Sequence, residues 1–143
     1  MRTLKIMLPI LIGVFVLMSL LPYGKRENPK TDPSLALQAP KDVEKIFKRS
    51  CYDCHSNHTR WPWYSYIFPF SWSVMDHVKN GRAALNFDTW KAYSKEKREK
   101  LKASIATKSG VTMPLKSYLW FHKEAKLSKE DLQTIRKWAY ETE

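Results

Sequence analysis

The residues with the clearest chemistry are five consecutive ones, Cys51-Tyr52-Asp53-Cys54-His55. Two thiols separated by two residues and followed directly by a histidine are typical of the attachment site of a c-type haem. Each thiol can add to one vinyl group of the porphyrin, and the imidazole that follows can then ligate the iron. The motif therefore predicts one covalent haem c per chain, held by Cys51 and Cys54, with its iron bound by His55.

Three other kinds of site use a Cys-x-x-Cys pair, and the sequence favours each of them less. A thioredoxin-like redox centre needs a preceding strand in an α/β chain, and neither is predicted here. A zinc site completed by His55 and His58 would crowd its ligands together, whereas structural zinc sites separate their two ligand pairs by about a dozen residues or more. A disulfide between Cys51 and Cys54 would close a very short, strained loop.

The positions of the helices follow from apolar spacing and from capping residues. The pattern predicts a helix that runs from Pro40 into Cys51, one from Ser71 to Gly81, and one from Ser94 to near Gly110. Asp88 is predicted to cap a short turn. A last helix begins at Ser128, which forms a capping box with Asp131, and we expect it to pack against the helix before Cys51.

A second iron ligand is predicted in the loop Gly110–Pro114, which separates two helices. Met113 lies in this loop beside a proline, where small cytochromes commonly supply a thioether as the sixth ligand. The alternatives for this position are His77, Met75 and His122.

Seven aromatic residues lie within residues 61–72, interrupted by Pro62 and Pro69. The prolines exclude a regular strand or an uninterrupted helix, so the segment is predicted to wrap compactly, as core or as the wall of a haem pocket. Basic residues are almost absent from it, so a nucleic-acid surface is not expected.

The first part of the chain is apolar, and Ile6 to Gly24 contains no charged residue. As a helix this stretch would span roughly 28 Å, close to the hydrocarbon thickness of a bilayer. No clear small-x-small cleavage site ends it, which favours a retained anchor over a cleaved signal peptide. As a family inference from the haem motif, the domain would face the periplasm from the inner membrane, or be exported if the segment is cleaved.

Three parts are therefore predicted: an anchor or signal segment over residues 1–24, a flexible tether over 25–39, and a mostly α-helical, small cytochrome c-like haem domain over 40–143. The net charge is +11. A charge of that size, spread along the chain, suggests an acidic partner or an anionic surface.

Six short segments of the chain form a more specific combination than the five-residue motif alone: Cys51–Asn57, Trp61–Tyr64, Ser71-Trp72, His77-Val78, Gly81-Arg82 and Leu85–Phe87. With these segments the chain resembles the bacterial haem-binding domain family, a relative of the small class I cytochromes c, over about residues 42–138. The resemblance implies covalent haem on Cys51 and Cys54 with His55 as the proximal ligand, and it supplies no reaction.

The function that follows is a membrane-tethered monohaem cytochrome that passes single electrons outside the cytoplasm, a carrier more than an enzyme, with redox proteins, possibly acidic ones, as partners. The alternative is a haem enzyme or a gas or redox sensor with an open distal position, such as a peroxidase-like module. A haem-free interaction domain is the third class.

Overall fold

The computed structural model describes residues 2–21 and 23–141, and the described part of the chain is mostly helical, as predicted. The structure does not describe Met1, Pro22 or residues 142–143, which belong to the predicted segments 1–24 and 40–143. Short 3₁₀ turns join the helices at Pro33–Leu35, Trp63–Tyr66, Phe87–Ala92 and Lys123–Ala125. The α-helices are α1 (Arg2–Leu20), α2 (Lys41–Ser50), α3 (Tyr52–His55), α4 (Phe70–Ala84), α5 (Lys95–Lys108), α6 (Lys116–Leu119) and α7 (Lys129–Glu141).

The apolar core lies between α2 and α7, because each helix buries one stripe of large side chains. Phe47 of α2 is fully buried, stacks on Phe87 with ring centroids 4.9 Å apart, and meets the edge of Trp138 at 5.2 Å. The predicted packing of the last helix against the helix before Cys51 is confirmed. This packing fixes the end of α2 that leads into the two cysteines.

Two helix starts are capped as the sequence predicts. The Ser94 hydroxyl accepts a hydrogen bond from the Lys97 N–H at 3.2 Å at the start of α5. Before α7, Ser128 Oγ accepts from the Asp131 N–H at 3.1 Å, and the Asp131 carboxylate accepts from the Ser128 N–H at 2.9 Å. Both partners lie three residues from the capping serine, so these signals are readable from local sequence.

The predicted membrane anchor at the N-terminus is wrong. α1 ends at Leu20 and contains Pro9, and its uncharged part from Ile6 is about 22 Å long, short of a hydrocarbon core of roughly 30 Å. Within residues 2–21 and 23–141, the structure has no helix that is both apolar and long enough to cross a membrane. The predicted inner-membrane location depended on this anchor and is corrected with it.

The segment after α1 lies against the domain, and we call residues 23–37 the N-terminal strap. The Tyr23 ring stacks on Trp72 with centroids 4.9 Å apart. Farther along, Asn28 Nδ2 donates to the Thr59 carbonyl at 3.0 Å, and the Leu37 N–H donates to the Phe87 carbonyl at 2.8 Å. The division of the chain into residues 1–24, 25–39 and 40–143 stays a prediction.

Candidate functional site

The two cysteines lie at the junction of α2 and α3, where Cys51 ends α2 and Cys54 lies within the short helix that follows. Both thiols are free and partly buried. Burial raises the pKa of Cys51 to about 12, and burial together with the nearby Asp53 carboxylate raises the pKa of Cys54 to about 11. Both sulfurs are therefore neutral thiols near pH 7.

His55 is held through one ring nitrogen by the carboxyl end of α4. Its Nδ1 lies 3.0 Å from the Gly81 carbonyl oxygen and 3.1 Å from the Leu85 carbonyl oxygen. A carbonyl oxygen only accepts, so Nδ1 must carry the proton and Nε2 must carry the lone pair. Burial lowers the pKa of His55, against the two carbonyl contacts, which raise it. The imidazole is thus neutral and oriented as a metal ligand requires.

Gly81 lets α4 approach the motif closely. A Cβ built on Gly81 would overlap the backbone carbonyl of Cys54, closer than real Cβ atoms approach. The sequence predicted that Gly81 ends its helix, and this is wrong, because α4 continues to Ala84. The glycine is required by packing between helices, where a side chain would push α4 and α3 apart.

Asp53, inside the motif, is buried, and its carboxylate accepts four hydrogen bonds. Its carboxylate lies 3.1 Å from both the backbone nitrogen and Nε of Arg60, and 3.0 Å from Nη2 of the same guanidinium. The Tyr118 hydroxyl donates to it at 2.7 Å. Burial, reinforced by this hydrogen bond, raises the pKa of Tyr118. The carboxylate therefore connects the haem motif to α6, which is distant in the sequence.

A second polar network fixes the residues that follow His55. The Asn57 N–H donates to the Asp88 carboxylate at 2.6 Å, and Asn86 Nδ2 donates to Asn57 Oδ1 at 2.8 Å. The predicted cap at Asp88 is wrong: the Asn86 side chain caps this turn by accepting from the Asp88 N–H at 3.0 Å. The Asp88 carboxylate instead accepts the hydrogen bond from the Asn57 N–H, because a buried backbone N–H group needs an acceptor.

Arg82 of α4 joins this network to the N-terminal strap. Its Nε donates to the Ser56 carbonyl at 2.8 Å and its Nη2 to Thr59 Oγ1 at 2.8 Å. Nη1 and Nη2 also bind Glu27 O and Asn28 Oδ1, each at 3.0 Å. One guanidinium thus joins the strap and the segment after His55 to α4.

Residues 13–141 match the family model of the haem-binding domain. The chain belongs to the haem-binding domain family. Comparison with curated proteins and with solved structures gave no match. The family makes this a haem-binding protein, as the sequence resemblance predicted, and the match includes both cysteines and His55.

The residues around the motif fit the cofactor of this family. Two unpaired thiols precede a histidine whose Nε2 lone pair is free, which is the donor set needed for two thioethers and one axial ligand. Residues 2–21 and 23–141 hold no cluster of three or more His, Cys, Asp or Glu side chains able to hold a metal ion.

Met113 lies in the loop between α5 and α6. The residue is 38% exposed. The contacts of its backbone are local: the Met113 N–H donates to the Lys108 carbonyl at 3.1 Å, and its carbonyl accepts from the Gly110 N–H at 2.7 Å. The assignment of Met113 as an iron ligand stays a prediction.

The three alternative ligands lie elsewhere. Met75 and His77 are partly buried on α4. His122 uses both ring nitrogens, with Nε2 at 2.9 Å from the Tyr64 hydroxyl and Nδ1 at 3.2 Å from Glu124 Oε1. Iron binding by His122 would therefore require the loss of one of these contacts.

The aromatic run splits between interior and surface. Of its members, Tyr64 is buried, and it stacks on Phe121 with centroids 4.7 Å apart. Because Pro62 and Pro69 prevent a regular element with one buried face, several of its rings remain at the surface. We call the following exposed rings the aromatic surface: Trp63, Tyr66, Phe70, Trp120 and Phe121.

Sequence reasoning missed Asp53, Arg82 and Tyr118 as residues that hold the motif. Arg82 had a signal, because it follows Gly81 in one of the segments that carry the family resemblance. Tyr118 had none, since it meets Asp53 across 65 positions of the chain.

Proposed function

We propose that this haem-binding protein is a monohaem electron carrier related to the c-type cytochromes. Cys51 and Cys54 would hold the haem through thioether bonds, and His55 would ligate the iron through Nε2. Bound haem supplies one-electron chemistry, the change of its iron between the ferric and ferrous states. The chain's own residues attach, orient and enclose it.

The observation that carries this proposal is the pair of contacts at His55 Nδ1, to the carbonyl oxygens of Gly81 and Leu85. Histidines that bind metals almost always donate their second ring N–H to a carbonyl or a carboxylate, which fixes the tautomer and the ring orientation. Gly81 lies in α4 and Leu85 directly follows it, and Gly81 lets this helix pack against Cys54. The ligand is therefore preorganised by helix packing.

For the sixth position we keep Met113 as the proposed ligand. Met113 is an exposed residue in the loop between α5 and α6 and is not a member of the buried core cluster. A soft thioether would favour ferrous iron and raise the reduction potential, which suits an electron carrier.

An acidic redox protein is the proposed partner. Support comes from the net charge of +11 and from the aromatic surface, because exposed clusters of Trp, Tyr and Phe are typical of protein interfaces. The rate of electron transfer to an acidic redox protein should fall as salt rises from about 0.05 to 0.5 M, since long-range attraction is screened. A rate that does not depend on salt would contradict this partner class.

Covalent attachment is tested by producing the full chain behind an export signal together with a c-type maturation system. The haem stain should stay with the polypeptide after denaturing electrophoresis. Cys51→Ala and Cys54→Ala should each leave at most one thioether, and the double variant should lose the stain. A wild-type protein without stain would remove the proposal and favour a haem-free interaction domain.

The iron's coordination separates a carrier from a haem enzyme or sensor. A carrier should be six-coordinate and low-spin in both oxidation states, whereas an open distal position gives high-spin iron. If Met113 is the ligand, Met113→Ala should abolish the weak far-red band of ferric iron bound to thioether and lower the potential. Loss of low-spin character in His77→Ala, Met75→Ala or His122→Ala instead would move the assignment to that residue.

A further inference from the structure

Tyr64 and His122 form a hydrogen-bonded pair that the proposed haem attachment does not use. The Tyr64 hydroxyl lies 2.9 Å from Nε2 of His122, and Nδ1 of the same imidazole lies 3.2 Å from Glu124 Oε1. Tyr64 belongs to the 3₁₀ turn Trp63–Tyr66, and His122 directly precedes the 3₁₀ turn Lys123–Ala125. The pair therefore joins two segments that are 58 positions apart in the sequence.

The positions of the protons in this pair follow from Glu124. A hydrogen bond to its own backbone and the contact with His122 lower the pKa of Glu124, so its carboxylate is ionised near pH 7 and can only accept. His122 Nδ1 must then carry a proton, and in the neutral imidazole Nε2 carries the lone pair. The Tyr64 hydroxyl is therefore the donor, and His122 Nε2 is the base that accepts its hydrogen bond.

Tyr64 keeps its proton near pH 7. The residue is buried, and burial, together with the negative charge of Asp53, raises its pKa to about 12. A phenol that has lost one electron is a far stronger acid than the neutral phenol. Oxidation of Tyr64 would therefore release its proton to the base within hydrogen-bond reach, which is His122.

The identity of the acceptor distinguishes Tyr64 from the other tyrosines. The Tyr23 hydroxyl donates to the Asp76 carboxylate at 3.2 Å. The Tyr118 hydroxyl donates to the Asp53 carboxylate at 2.7 Å. Imidazoles are ordinarily stronger bases than carboxylates by about two pKa units, so they are the better proton acceptors. Within residues 2–21 and 23–141, Tyr64 is the tyrosine that is bonded to an imidazole.

The pair lies between the attachment motif and the aromatic surface. On one side, the His122 ring stacks on Tyr118 with centroids 4.2 Å apart, and Tyr118 binds Asp53 of the motif. On the other side, the edge of Tyr64 meets Trp63, an exposed ring of the aromatic surface, with centroids 5.8 Å apart. A phenol with its proton acceptor already in place thus lies in a chain of aromatic contacts that ends at the surface.

We propose that Tyr64 is a redox-active tyrosine that gives one electron to a strong one-electron oxidant, a high-valent metal complex or an oxygen-centred radical, and its hydroxyl proton to His122. The Tyr64 O–H bond breaks, an N–H bond forms at Nε2, and the oxidant is reduced by one electron. The products are a neutral tyrosyl radical and an imidazolium, whose charge Glu124 balances. This activity goes beyond the proposed electron transfer at iron and does not require attached haem.

The test is flash oxidation of the full-length protein by a photogenerated ruthenium(III) complex, with any bound haem in the ferric form. Samples frozen after the flash are examined by electron paramagnetic resonance. Wild type should show the signal of a neutral tyrosyl radical, formed more slowly in heavy water than in ordinary water. Tyr64→Phe should lose most of this signal, because phenylalanine keeps the ring and removes the hydroxyl.

Variants of the acceptor and a matched control sharpen the test. His122→Gln keeps a hydrogen-bond acceptor that cannot take up the proton, so it should slow radical formation at least about tenfold. Glu124→Gln, at a largely exposed position, should slow it by less. Tyr140→Phe removes an exposed phenol outside the pair and should leave the rate of radical formation unchanged.

Two results would overturn the inference: a radical signal in Tyr64→Phe equal to that of wild type, or an unchanged rate in His122→Gln. If Tyr64→Phe does not fold, the rates of His122→Gln and Glu124→Gln decide. A radical that depends on Tyr64 in a wild-type protein without haem stain would contradict the proposed function and support this inference.

Discussion

The two sides of the proposed iron site are built differently. On the side of His55, Gly81 of α4 and Leu85 directly after this helix supply two carbonyl acceptors to the imidazole, and buried polar networks hold the residues before and after it. On the side of Met113, a loop holds itself through backbone contacts with Lys108 and Gly110. The difference teaches that the fold orients one proposed ligand by helix packing, whereas the backbone of the other is held by hydrogen bonds within its own loop. Attachment should therefore be robust, whereas the sixth ligand should be exchangeable.

Gly81→Val should give the largest effect, because it pushes α4 away from the motif and from His55. We expect the free energy of unfolding to fall by about 3 kcal/mol or the holoprotein to fail to accumulate. Urea unfolding followed by haem absorbance measures the change. Gly13→Ala is the control, since nothing lies within 4 Å of a Cβ built there. Equal stability of Gly81→Val and wild type would refute the close approach of α4 and α3.

Asp53→Asn should come next, because it keeps the side chain's size but removes the charge that binds Arg60 and Tyr118. A loss of about 2 kcal/mol in the free energy of unfolding is expected, below the value for a fully buried pair because Arg60 is largely exposed. Glu44→Gln, on the exposed pair with Lys48, should cost less than about 0.5 kcal/mol. If both variants lose a similar amount of unfolding free energy, the hydrogen bonds at Asp53 do not stabilise the motif.

Acid should weaken the junction between α2 and α7, where Arg49 binds Asp131. Burial raises the pKa of Asp131, but the hydrogen bond from the Ser128 N–H and the Arg49 guanidinium outweigh it, so its folded pKa lies below the usual range. This stabilisation is complete above the unfolded pKa of about 3.9 and is lost as pH falls through the folded value. Unfolding free energies at pH 6 and pH 3 should differ by about 1 kcal/mol less in Asp131→Asn than in wild type. An unchanged difference would show that the pair does not couple the two helices.

Met113→Ala should have the smallest effect on stability, less than about 1 kcal/mol in the haem-free protein, because the side chain is partly exposed. Gly110→Ala in the same loop should cost more, since Gly110 has a φ of 76° and a Cβ there would meet Leu132 of α7. Thermal unfolding of both variants tests this order. If Met113→Ala lowers the free energy of unfolding more than Asp53→Asn does, the Met113 side of the proposed iron site contributes more to stability than the His55 side.

Local signals predicted much of the fold. The caps at Ser94 and Ser128 depend on partners three residues away, and the apolar stripe of α2 is visible over ten residues. The residues proposed to attach the haem are also local in sequence, because two thiols and an imidazole lie within five positions. These features can be predicted without knowing which residues contact them across the core.

Features that depend on distant contacts were not predictable from one sequence. Gly81 carries the usual signal of a helix end, and only the packing of α4 on Cys54 shows that it serves close approach. Asp88 carries the usual signal of a cap, yet its carboxylate serves Asn57. The anchor was predicted from an uncharged, apolar stretch without a clear cleavage site, whereas the helix that forms stops at Leu20. For Gly81 and Asp88 the residue type was informative, and its partner decided the role.

The N-terminal strap has a consequence for where the protein can be shortened. Arg82 shares its guanidinium among the motif, Glu27 and Asn28, and Arg26 donates to the Ser65 carbonyl. A shortened protein that starts at Pro40 would lack Glu27 and Asn28. Arg82 would then have two fewer hydrogen-bond acceptors beside the motif. A clone that starts at Tyr23 would keep them, so cofactor loading should separate the two products although both contain every proposed iron ligand.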